Sequence, residues 1–204
     1  FNIDKYKLVV SRIATMLYQI DDVIFRNRNS IGVRLEDLKT CPESTVAALC
    51  EWMGVEEEAI LYEMTAQGKK WWGDRSSPDF GSDGMKPFDK ASINRKVGAL
   101  FSENDQFILQ TLFYPFNVKF GYLKENLEQF KEDLKSIRPL LDQMFDFEKA
   151  LVKNNQEDEK KFIKSGSYIY LRACMIDRWN TLNQLHTYPN MLEPLSIDKV
   201  KSHD

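Results

Sequence analysis

Cysteine and histidine are scarce in this chain, and neither is spaced for metal binding. Cys41, Cys50 and Cys174 are odd in number, and only His186 and His203 could join a zinc site. Both histidines lie far along the chain from the first two cysteines, so a disulfide framework and a structural metal are not expected. Free thiols in a reducing compartment are the simplest reading. The chain also lacks an Asn-x-Ser/Thr sequon, a signal-like apolar run and any stretch long enough to span a bilayer. An excess of positive charge is missing as well: 28 Lys and Arg face 31 Asp and Glu, for a net charge of -3. That balance argues against a general nucleic-acid binder, although a local basic cluster can still hold one phosphate. The expectation is a cytoplasmic protein with no membrane span, no nucleic-acid partner and no metal. The first residue is Phe1 rather than methionine, which fits a processed chain or a fragment of a longer one.

What is present suits a globular protein. Hydrophobic residues make up 43% and charged residues 29% of 204 positions, enough for one core, or one core with an appended subdomain. Apolar residues repeat at helical spacing through Tyr6, Val9, Val10, Ile13, Met16, Leu17, Ile20, Val23 and Ile24, predicting an amphipathic helix over residues 4–26. Ile31, Val33 and Leu35 alternate with smaller or polar neighbours and predict a short half-buried strand. Thr40, Pro42 and Glu43 signal a helix start, and Gly54 its stop. Residues 56–64 read as a second short helix. Ser102-Glu103-Asn104-Asp105 is another capping signature, opening a helix that buries Phe107, Ile108 and Leu112.

Beyond Tyr122 the pattern changes. Leu123, Leu127, Phe130, Leu134, Ile137, Leu141 and Met144 follow steps of four and three, a heptad-like seam. Pro139 sits inside it, so a kink or break is expected near Arg138. A polar connector over 153–160 leads to a second long helix with Tyr168, Leu171, Met175, Trp179, Leu182 and Leu185 on one face. The two helices are expected to fold back as an antiparallel hairpin, packed internally or used for a homodimer. The division expected is residues 1–122 and residues 123–204.

The loop from Ala66 to about Lys90 concentrates chemistry-bearing residues. Gly68, Lys69, Lys70, Trp71, Trp72, Gly73 and Asp74 combine close backbone approach, cationic charge and flat aromatic surface. The mixture suits a phosphate-bearing ligand and equally suits a buried aromatic corner beside solvated lysines. Loops of this length are usually functional or disordered, and the aromatic content favours order.

Val33-Arg34-Leu35-Glu36-Asp37-Leu38, followed by Pro42 and a helix ending in Met53-Gly54-Val55, resembles the C-terminal half of sulfotransferases. In that family a strand reading RYEDL leads through a proline to a helix with an (F/M)LG end; Leu35 replaces the usual aromatic. Gly73-Asp74 resembles the glycine-aspartate of the loop that closes over the nucleotide. Arg95-Lys96 shortly before Phe101-Ser102, and a closing Gly121-Tyr122, resemble the family's ending. The resemblance spans about residues 30–122. It implies a fold that is mainly α here with one short strand, as the C-terminal part of an α/β P-loop-type domain plus a long helical hairpin. It implies the donor 3′-phosphoadenosine 5′-phosphosulfate and a small-molecule or carbohydrate acceptor bearing a hydroxyl or amine. Arg95 and Lys96 would meet the nucleotide's 3′-phosphate, with Lys69, Lys70 and Gly73 as further cofactor contacts. Gly68-Lys69-Lys70 shares residue types with the family's RKG motif but not their order.

Each candidate has a plainer reading. Arg95-Lys96 and Lys69-Lys70 are residue types usually found solvated. Trp71 and Trp72 can divide between core and surface. Glu36 and Asp37 are adjacent and suit capping or turn bonding better than a shared acid–base site. His186 reads as a cap or surface residue. No glycine-rich strand–loop–helix precedes Leu38, so neither a phosphosulfate loop nor a catalytic base is expected among these residues. The alternative to a catalytic portion is a non-catalytic helical interaction or dimerisation module on a similar scaffold.

Overall fold

The computed structural model describes residues 2–19, 28–63, 65–66, 69–70, 88 and 100–197. It divides into two units, Phe1–Ser30 with Lys96–Glu193, and Ile31–Arg95 with Pro194–Asp204.

The larger unit is built on helices. Helix α1 (Ile3–Gln19) turns Tyr6, Val10, Ile13 and Leu17 inward, as their spacing predicts, and Ala14 with them. Ile20, Val23 and Ile24 of the expected stripe lie outside the described residues. Helix α4 (Glu103–Leu112) begins at Ser102, whose side chain accepts from the Asp105 N–H at 3.1 Å while the Asp105 carboxylate accepts from the Ser102 N–H at 3.4 Å. This reciprocal capping box satisfies two of the donors that a helix start leaves open. Helix α5 (Tyr114–Lys119) follows, with Pro115 in its first turn. It closes at Gly121, which holds φ 71, while the Asn117 carbonyl accepts from the Tyr122 N–H at 2.7 Å.

Helix α6 (Leu127–Ile137) buries Phe130, Leu134 and Ile137 and passes into a 3₁₀ turn at Arg138–Leu140. The break falls where Pro139 predicts it, because proline supplies no N–H to an α-helical ladder. Helices α7 (Asp146–Asn155), α8 (Glu159–Phe162) and α9 (Gly166–Leu185) complete the unit.

The hairpin expectation needs correction in its pairing. Helix α9 makes its most extensive helix contact with α1, and touches α6 less. Its link to α6 runs through Trp179, whose indole N–H donates to the Leu134 carbonyl at 2.8 Å beneath the Arg138 guanidinium. One continuous core joins Tyr6 and Leu17 to Ile108, Leu112, Phe130, Leu141, Leu171, Met175 and Leu182. A boundary at residue 122 would cut through it, so the expected division into 1–122 and 123–204 is not where the structure divides. The physical reason is that α9 packs its apolar residues against α1 as well as α6, in one core shared with α4. Of the two seams, Ile137, Leu141, Leu171 and Leu182 are packed within the chain, each 0% exposed. Leu123, Leu127 and Leu185, at the ends of those seams, are exposed instead.

The smaller unit carries helix α2 (Leu35–Thr40) and helix α3 (Pro42–Met53). The strand expected at Ile31 to Leu35 does not form. Only Gly32 makes a bridge, parallel to Pro194, and the Leu195 N–H donates to the Gly32 carbonyl at 2.7 Å. Val33 and Leu35 are exposed, and Glu36 and Asp37 occupy the first turn of α2, where negative charge meets the positive helix end. Helix α3 starts with Pro42 in its first turn and ends at Gly54 with φ 68, as the sequence predicts. Thr40, read as part of the start signal, instead donates its hydroxyl to the Glu36 carbonyl at 2.7 Å, and Cys41 holds the cap position. The helix expected over 56–64 contracts to a 3₁₀ turn at Ala59–Tyr62. A two-residue antiparallel ladder pairs β1 (Thr65–Ala66) with β2 (Lys69–Lys70). Among the described residues this ladder is the only sheet, so the protein is mainly α, and an α/β layer is not part of what is described.

Candidate functional site

The residues singled out from sequence fall mostly outside the described structure. Arg95, Lys96 and Gly73 lie outside the described residues, as do Trp71 and Trp72. The backbone of Lys69 and Lys70 forms β2, in register with Ala66 and Thr65 respectively, while their side chains lie outside the description. Sequence reasoning missed this two-residue ladder. Glu36 and Asp37 do not form a shared acid–base pair. They sit in a helix turn, and Asp37 lies 3.6 Å from the Arg34 Nε. His186 is the C-cap of α9, in the left-handed region at φ 54, donating its backbone N–H to the Leu182 carbonyl.

The dense polar chemistry of the described residues is a buried network at the start of α7. Asp105 is 0% exposed. Its two carboxylate oxygens accept from the backbone N–H groups of Asp146 at 2.8 Å and Phe147 at 3.1 Å. Ser102 donates its hydroxyl to the Asp146 carboxylate at 2.7 Å. The starts of α4 and α7 are thereby joined through two carboxylates and one hydroxyl. The Asp146 carboxyl is held below the usual range, first by its bond from Lys149 and then by that from Ser102.

Glu148 is also 0% exposed. It accepts from the Tyr6 hydroxyl and from the Phe145 N–H, each at 2.8 Å, and pairs with the Arg172 guanidinium. The Arg172 guanidinium lies 4.3 Å from the Tyr168 ring centroid and 5.0 Å from that of Phe145. Burial raises the Glu148 carboxyl above its ordinary value, opposed by the positive charge of Arg172 and the three donors. Burial likewise raises the Tyr6 hydroxyl, with Glu148 adding to the effect.

A second buried arginine, Arg178, donates to the Leu17 carbonyl and lies 4.7 Å from the Tyr188 ring centroid. Tyr188 in turn donates its hydroxyl to the Leu112 carbonyl. This anchors a strap, residues 187–193, against α4 and α9.

Two concavities flank the strap within the larger unit. A mixed cleft of about 540 Å³ is lined by Tyr114, Lys119, Glu125, His186, Asn190 and Glu193 among others. Lys119 and Glu193 are paired across it. An apolar groove of about 670 Å³ runs between Ile13 and Met16 of α1, Leu109 of α4, Phe113, Phe116 of α5, and Met191 and Leu192 of the strap. Met16, read as an inward residue of α1, is half exposed in this groove.

The buried carboxylates and arginines are committed to one another and to helix ends, which suits them to holding α1, α4, α7 and α9 together. All three cysteines are free, Cys41 exposed and Cys50 and Cys174 buried. Among the described residues no group of His, Cys, Asp or Glu could hold a metal ion, and no helix is long and apolar enough to cross a membrane. No family model, curated protein or solved structure matches the chain.

Proposed function

We propose that this chain is the C-terminal portion of a sulfotransferase that moves a sulfuryl group from 3′-phosphoadenosine 5′-phosphosulfate to a hydroxyl or amine acceptor. The observation that carries the reading is the order of the family-like motifs: Val33 to Leu38, Pro42, Met53-Gly54, Gly73-Asp74, Arg95-Lys96, Phe101-Ser102 and Gly121-Tyr122. Four of these positions act as local punctuation. Pro42 occupies a helix first turn, Gly54 and Gly121 take left-handed backbone, and Ser102 caps a helix.

In this reading Arg95 and Lys96 bind the nucleotide's 3′-phosphate through charge-assisted hydrogen bonds. Lys69, Lys70 and Gly73 supply further contacts to the nucleotide. Sulfuryl transfer needs positive charge or aligned N–H groups around the transferring group, and a base to take the acceptor's proton. In this reading the phosphosulfate loop and that base precede the segment that begins at Ser30, as they do in the family, and residues 1–204 by themselves are expected to be inactive. The acceptor is a small molecule or a carbohydrate. The test is donor turnover by residues 1–204 alone and by the protein as its gene encodes it. Turnover by the isolated polypeptide would overturn this division of roles.

The second reading is a non-catalytic helical scaffold. What favours it is that Asp105, Glu148, Arg172 and Arg178, the buried charged groups described above, serve as caps and internal pairs. Under this reading the protein binds no 3′-phosphoadenosine 5′-phosphate in any form, and nucleotide titration separates the two.

A further inference from the structure

We draw no further inference here: the strongest candidate, the apolar groove between α1, α4, α5 and the strap at Met191 and Leu192, carries nothing because nothing in the structure shows what covers it.

Discussion

Glu148 shows how one residue can tie distant parts of the chain together, since its carboxylate meets Tyr6, Phe145 and Arg172. Replacing it with alanine removes the acceptor for three donors and leaves a charged guanidinium in the core. Breaking a buried pair this way costs about 3–5 kcal/mol, measurable as a lowered urea midpoint. Tyr6→Phe removes one donor and keeps the ring, so its cost is about 1–2 kcal/mol. The pH dependence has a definite sign. Because burial raises the Glu148 carboxyl in the folded state, the fold holds that proton more tightly than the unfolded chain. Its contribution is full below the ordinary carboxylate range and is lost as pH rises through the folded value. Glu148→Gln removes this titration, so the stability difference should shift in the variant's favour as pH rises from the ordinary carboxylate range. A constant difference across that window would mean that Arg172 cancels the effect of burial. None of this was legible in the sequence. Arginine and glutamate read as solvated by type, and Arg172 lies 24 positions from Glu148, beyond any local pattern.

At the scale of elements, helix punctuation was legible and strand pairing was not. Ser102, Pro42, Gly54 and Pro139 act through bonds or dihedrals within a few residues, so the sequence contains everything they need. The alternation at Ile31, Val33 and Leu35 found no neighbouring strand among the described residues, where Gly32 makes a single bridge to Pro194, distant in sequence. Asp105 combines both cases. Its capping box was readable, whereas its second task of capping α7 was not. Ser102→Ala should therefore cost about 1 kcal/mol. Asp105→Ala should cost more, because the buried N–H groups of Asp146 and Phe147 lose their acceptor, at about 1–3 kcal/mol for each unsatisfied group. Equal losses for the two variants in chemical denaturation would contradict the bridging role. At Gly54 an added Cβ meets nothing within 4 Å, yet φ is 68. Gly54→Ala therefore tests backbone strain alone, with an expected loss of about 1–2 kcal/mol.

For the whole molecule, the structure replaces a sequential division with an interleaved one. Residues 1–30 and 96–193 build one unit, although residues 31–95 separate them in the sequence, because α9 buries its apolar surface against α1 as well as α6. Leu171→Ala, at a side chain 0% exposed, should cost about 2–5 kcal/mol. Amide exchange should then accelerate in α1 and α4 together with α6. Acceleration confined to residues 123–185 would restore the independent hairpin. The functional proposal stands on motif order, and its phosphate-contacting candidates Arg95 and Lys96 lie outside the described residues, so a ligand measurement decides it. That measurement is calorimetric titration of the protein as its gene encodes it with 3′-phosphoadenosine 5′-phosphate, beside Arg95→Ala. The proposal predicts saturable binding that Arg95→Ala weakens by at least tenfold, about 1.4 kcal/mol. Absence of binding would contradict the sulfotransferase reading, and binding untouched by Arg95→Ala would contradict the assigned phosphate site.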